Sequence, residues 1–521
     1  MPSHRATIPA RTGIAKGALA CWQTQRAKVI GLFACTLSLG GCSQAAVTDK
    51  SARPIEMLVA NDAETLDPRY ATDAVALRTT RLVHAGLVRL DEATLMPVPY
   101  VARAWSWMSP QVLRVELRDD VRFHGGSQLT SRDVIATLRA FADAAVASRH
   151  ARVVEAVDRV EAEGDYAVRI HLARPHATLL TDLELPILRE DQAASAPQPN
   201  GTLDGLGPFV VKERVPGAIT LAPAEGGVST TPLHSIVVRT VHDENARALR
   251  MHAQRADLVV NGFSPTLLPA LENAPGVSVT SRPGSNLTYM LARTDRGALA
   301  NVHVRRALAM AIDRDGIAST LLAGRARSAS TLLPPLHWAY TKESPLSFDP
   351  AMARAELAKA RADTLHFTWL TSTDRLRVTI ARVIAQQLAD IGVVVDVIPL
   401  EFGTLLARLS AGDFELGTLQ LPELTEPNVL RVFLHSSSIP PKGANRGRIA
   451  DPEVDRLLDA GDAELLPDAR KPIYAELERR VRDEAWIVPL WHEDQVAVTS
   501  SRARGFVPSA EGRWLHLATL P

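Results

Sequence analysis

The segment 365–420 constrains the fold more than any other part of this chain. Residues 365–371 read as a strand containing Phe367 and Trp369. Leu376, Ile380, Val383, Ile384, Leu388 and Ile391 then recur at helical spacing until Gly392 stops them. Residues 393–398 (Val-Val-Val-Asp-Val-Ile) are nearly continuous in apolar character, as in a strand covered on both faces. A short helix over 402–410 and a strand over 414–419 complete a β-α-β-α-β order. Strands separated by helices of this length pair in parallel through right-handed crossovers. An α/β architecture with doubly wound, parallel or mixed sheets is therefore expected.

The rest of the chain carries less pattern. Residues 55–60 read as a first strand, followed by the polar loop 61–68 and a helix over 73–86. Residues 112–117 alternate like a half-buried strand. Phe123-His124-Gly125-Gly126 makes a turn, and Thr130-x-x-Asp133 has capping-box spacing before a helix running to about Val146. Residues 191–201, 222–232 and 436–448 are linkers by composition.

The first segment reads as a leader. Arg5, Arg11, Lys16, Arg26 and Lys28 precede an apolar run of about a dozen residues, and no acid occurs before Asp49. That run is short of the ~20 residues needed to span a bilayer. It ends in Leu39-Gly40-Gly41-Cys42 and resembles a bacterial lipoprotein signal, whose lipobox closes on a cysteine. The resemblance implies cleavage of residues 1–41 and lipid on Cys42. Residues 42–52 are then a small, polar tether.

Cleavage would leave 480 of the 521 residues, with three domains as a length-based expectation. The 58 basic residues less the leader's five leave 53 against 58 acids, a net charge of −5. Such a balance argues against nucleic-acid binding, which needs a basic footprint. Cys21 and Cys35 leave with the leader, so Cys42 alone remains and no internal disulfide is available. No Gly-x-Ser-x-Gly, Ser-x-x-Lys, His-Glu-x-x-His or Gly-Lys phosphate loop occurs. Neither an enzyme nor a cofactor is expected. His124 stands beside a Gly-Gly turn without ligand-spaced partners and reads as a turn residue.

Ligands of parallel sheets sit beyond the carboxyl ends of the strands. That rule selects residues 372–377, which include Arg375 and Arg377, and residues 420–427, which include Glu423 and Glu426. A cation and an anion on neighbouring strand ends suit a zwitterion. Trp369, Tyr289, Trp491 and Trp338 are candidate aromatic walls, with core packing as the competing role. Trp105 and Phe123 are assigned to the core.

Eight motifs in order carry a family resemblance. Glu64-Thr65-Leu66-Asp67-Pro68 comes first, then Gly86-Leu87-Val88 and Pro99 with Ala104-Trp105. Leu117-Arg118 leads into Phe123-His124-Gly125-Gly126 and Leu129-Thr130 with Asp133-Val134. Gly205-Leu206-Gly207-Pro208-Phe209 follows. Val304-Arg305-Arg306-Ala307-Leu308 precedes Ala311-Ile312-Asp313-Arg314. Asp451-Pro452-Glu453-Val454-Asp455 and Val488-Pro489-Leu490 close the set. Together they resemble the family 5 extracellular solute-binding proteins of ABC importers, the peptide-binding group. Phe-His-Gly-Gly departs from the family's Phe-His-Asp-Gly, and Arg293 stands where Asn is common.

The resemblance implies a two-lobed clamshell with an inserted domain. Lobe I would comprise 53–90, 201–284 and 486–521, the inserted domain 91–200, and lobe II 285–485. The family's Asp-x-x-Asp-Pro stretch appears here as Glu423-x-x-Glu426-Pro427, which implies that Glu423 receives a ligand amino group. Arg375 is the candidate carboxylate anchor. The implied partners are a peptide or similar solute, an ABC permease with its ATPase, and a membrane through the lipid. A monomer in the cell envelope is expected, at the inner rather than the outer membrane. A non-peptide solute (nickel chelate, haem, sugar or opine) and an envelope hydrolase are the alternatives.

Overall fold

The computed structural model describes residues 53–521 except 201–202, 229–230 and 362–364. The leader, Cys42 and the tether lie outside the described residues. Among the described residues, one twelve-stranded sheet runs through two lobes. In the first lobe Ile55–Val59 lies parallel to Ile236–Thr240 on one side and to Leu258–Val260 on the other. Ala218–Pro223 and Phe209–Val215 extend this half antiparallel. In the second lobe Leu365–Ser372 lies parallel to both Val393–Leu400 and Leu416–Leu421. Leu416–Leu421 then pairs antiparallel with Leu287–Ala292, so the sheet is mixed.

One long strand, Ile487–Ser500, joins the halves. Its residues Ile487–Trp491 pair with Leu287–Ala292, and Ala497–Thr499 pair with Leu258–Val260. Pro489 offers no N–H to this ladder. The register shifts beside it, between Thr288 and Tyr289. The sequence-based division placed all of 486–521 in the first lobe, whereas 487–491 pair with the second lobe's Leu287–Ala292. Beside it Val277–Pro283 pairs with Asp494–Ser500 and leads directly into Leu287–Ala292. The chain thus passes between lobes near 284–286 and 492–494.

A separate four-stranded antiparallel sheet takes Ala102–Ser109, Val112–Leu117, Ala167–Leu172 and Val157–Ala162 in that order. The helix Ser131–Ala142 covers it, and Leu113, Val115, Phe123, Leu138 and Ile170 share its core. The Thr130/Asp133 capping box is formed. The helix stops at Ala142, four residues before Val146.

The 365–420 region folds in the order its pattern implies, with one difference. The helix Arg375–Ala389 starts at an Asp374 cap and the chain turns at Gly392, whose φ of 90° suits glycine. Val393–Leu400, however, is the edge strand of the sheet, and Val394 is 48% exposed. Its apolar run is therefore covered on one face only, and its outward face is open at Val394 and Asp396.

Candidate functional site

The helix Ala74–Val83 stands at the mouth of the cleft between the lobes. Asp73 caps it by accepting from Ala76 N at 2.8 Å. Val75, Ala76, Thr79, Leu82 and Val83 bury one face. Its C-terminal end is held by Gly207, which donates to Val83 O at 2.8 Å. A Cβ at Gly205 or Gly207 would lie 2.1 or 2.4 Å from the Val83 or Leu82 carbonyl oxygens, so only glycine permits this approach. His124 completes the turn, its Nε2 lying 2.8 Å from Gly207 O. Asp67 belongs to the same support. It is fully buried against Arg69 at 2.6 Å and accepts from Gln198 N at 2.9 Å.

This packing sends Arg81 into the cleft lining, while Arg78, one turn before it, faces the Trp514 ring at 5.8 Å. Across the cleft lies the loop after Leu416–Leu421. Glu423 Oε2 is 3.7 Å from Arg81 Nη1. Leu424 anchors the loop by burial and by donating to Ser285 O at 2.6 Å. Glu426 is turned inward to pair with Arg470, which itself stacks on Trp338 and Tyr474. Glu426 also accepts from Thr181 Oγ1 at 3.3 Å. Burial pushes the Glu426 carboxyl up, against the pull of Arg470.

The C-terminal segment brings Arg513 to the same place. Its guanidinium grips both oxygens of Glu184, with Nη2–Oε2 at 2.7 Å. Glu511 lies 3.7 Å from it. Burial opposes the Arg513 charge, but Glu184, Glu511 and Glu423 together hold it above its ordinary value. Arg81 moves the other way: burial lowers it, and Arg513 adds repulsion. Burial also lowers Arg78 and raises Glu511. A pocket of about 240 Å³, open to solvent on one side, draws its lining here from both lobes and the four-stranded domain.

The structure gathers some of the expected site residues and disperses others. Glu423 faces the cleft. Arg375 is exposed at the start of its helix, while Arg377 reaches Glu493 at 2.7 Å. Trp491 donates to the same Glu493 at 3.2 Å, but its ring is fully buried. Trp369 is fully buried and donates to Thr418 Oγ1 at 2.6 Å. Tyr289 is 2% exposed, and burial pushes its hydroxyl up to about 12. These three aromatics present no wall to the cleft in this conformation, because the sheet packs them between its strands and helices. Phe123 lies in the core, and Asp313 caps the helix Arg314–Thr320. Arg78, Arg81 and Arg513 were not among the expected residues. The spacing Arg78-x-x-Arg81 was the one visible sign of the first two.

Among the described residues no group of three or more His, Cys, Asp or Glu could hold a metal ion. No helix among them is long and apolar enough to cross a membrane.

Two lobes bridged by paired strands, with facing charges in the cleft between them, define a clamshell solute-binding protein. The chain belongs to the bacterial extracellular solute-binding proteins, family 5, whose description matches residues 96–429. A "Probable di/tripeptide-binding protein 5" of Pseudomonas aeruginosa is 25% identical over 461 residues, covering 82% of this chain and 88% of that protein. "Heme-binding protein A" of Haemophilus influenzae is 28% identical over 381 residues, covering 69% of each. The ABC transporter substrate-binding protein CtaP of Listeria monocytogenes superposes with a TM-score of 0.81 at 22% identity, over 90% of this chain and 98% of that one.

Proposed function

We propose that this protein captures a short peptide between its lobes and delivers it to an ABC importer. The observation that carries this reading is Glu423, held at the cleft by a loop whose next residue, Leu424, is buried, facing the guanidinium of Arg81 at 3.7 Å. A peptide's terminal ammonium fits that carboxylate. The relative named for di- and tripeptides supports the choice. Hinge motion occurs near 284–286 and 492–494, and the ligand favours closure because it touches both lobes only when they meet. An ion pair at ~4 Å is worth roughly 4 kcal/mol gross at an effective dielectric of ~20. Micromolar binding needs about 8 kcal/mol. Hydrogen bonds to the peptide main chain supply the remainder.

In this reading the protein binds and does not catalyse. It is monomeric, lipid-anchored through Cys42 and works at the inner membrane beside its permease. Replacing Glu423 by Ala is expected to weaken a free-amine peptide ten-fold or more in calorimetry, while its N-acetyl form binds both proteins equally weakly. Equal affinity of the free-amine peptide for both proteins would overturn the assignment. A non-peptide solute is the second reading, favoured by the relative named for haem. Mass spectrometry of solute released from the purified protein separates the two.

A further inference from the structure

The cleft's polar groups differ in how far they are already committed. Glu184 spends both carboxylate oxygens on Arg513. Asp182 accepts from Thr178 at 2.8 Å and meets His176 at 3.0 Å. Glu426 is taken by Arg470 and Thr181. Arg81 is different. Its Nη1 is buried and makes no hydrogen bond among the described residues. Glu423 lies within ion-pair distance of it but beyond hydrogen-bond range, at 3.7 Å. Behind Arg81, Arg78 has no acid within ion-pair distance among the described residues and faces the Trp514 ring at 5.8 Å. A buried donor without a hydrogen bond on one lobe thus faces, at long ion-pair distance, a carboxylate on the other. Arg81 lowers what Arg78 can hold, and Arg513 does the same to Arg81.

Resting on the peptide reading above, we propose that Arg81, backed by Arg78, anchors the acid group of the solute. The solute is then a short zwitterion lying across the cleft, its carboxylate on the first lobe and its amine on Glu423 of the second. Entry exchanges partners. The long Arg81–Glu423 contact gives way to two charge-assisted bonds of the shorter kind, ~2.7–2.9 Å. With the Arg81–Glu423 contact still made, the pocket beside it is already about 240 Å³ and open to solvent. An acid at Arg81 also offsets the repulsion this arginine receives from Arg513 and imposes on Arg78. This places the acid anchor on a helix of the first lobe rather than at Arg375, and it gives the ligand a fixed direction across the cleft.

The test is calorimetry with a panel of dipeptides and tripeptides, each as free acid, C-terminal amide and N-acetyl derivative. The free acids are expected to bind at least ten-fold more tightly than the amides. In Arg81→Gln that preference disappears while the N-acetyl penalty stays, and Arg81→Lys restores part of the preference. Amides binding as well as acids would overturn the proposal, and that comparison needs no variant at all. So would an acid preference that survives intact in a folded Arg81→Gln protein. If no peptide in any form binds, the peptide reading fails by itself. The released solute then decides the acid anchor: one bearing both an ionised acid and an amine sustains it, and one lacking either overturns it.

Discussion

Glu478 sits on the helix Pro467–Glu484 at 4% exposure, beneath the segment 331–333. Its carboxylate accepts from Leu333 N at 2.9 Å and Leu332 N at 3.1 Å. Burial nevertheless outweighs these bonds and pushes the group up to about 8 from an ordinary 4.5. An acid raised in the folded state holds its proton longer than in the unfolded chain. Its contribution is therefore complete below pH 4.5 and is lost as pH rises towards 8, at a limiting slope of about 1.4 kcal/mol per pH unit. Thermal melts between pH 5 and 8 should show this fall, and Glu478→Gln should flatten it. The same scale explains which site residues could be read from the sequence. Glu423 was visible because its loop follows the carboxyl end of a parallel-sheet strand, and because Glu423-x-x-Glu426-Pro427 resembles the family's Asp-x-x-Asp-Pro stretch. Trp369, Tyr289 and Trp491 were not separable from cleft walls, since an aromatic inside a sheet strand looks the same whichever face is covered. Arg81 was hidden for the opposite reason. Its partner across the cleft lies 342 positions away in the chain, and no local spacing records that distance.

At the scale of elements, the helix Ala74–Val83 carries the most consequence for its length. Asp73 both caps it and accepts from Glu64 N at 3.0 Å, tying helix and preceding loop together. Asp73→Ala should cost about 1 kcal/mol of stability in urea denaturation, and peptide affinity should fall with it because Arg81 loses its fixed position. Elements with strong local signals were legible: the capped helix Ser131–Ala142, the strand Val112–Leu117 and the succession from Leu365 to Leu421. The edge position of Val393–Leu400 was not, because an apolar run states what a strand can bury and not how many neighbours it has. The fourteen-residue strand Ile487–Ser500 was missed as a unit. Pro489 and the polar run His492-Glu493-Asp494 interrupt its pattern where it passes from one lobe to the other.

Across the whole molecule, cleft closure is supported away from Arg81 as well. Ala177 N donates to Asp462 O at 3.0 Å and Thr181 reaches Glu426, so the four-stranded domain's segment also meets the second lobe. The first lobe's core joins Ile55 and Met57, near the start of the described chain, with Phe506, Trp514, Leu517 and Leu520 near its end. Fully burying such side chains contributes roughly 1.5–3 kcal/mol each. The second lobe is drawn from an uninterrupted stretch between the two crossings. A chain stopped after Glu493 should therefore keep a protease-resistant second lobe while its first lobe is digested, as limited proteolysis with mass mapping would read. The long shared strand has a consequence in time as well as in space. A ribosome emits the first lobe's opening strand hundreds of residues before the segment that completes its sheet. The lobe begun first is thus the last to close, and until residues 494–500 emerge its strand edges stay exposed, the condition under which nascent chains aggregate or are held by chaperones.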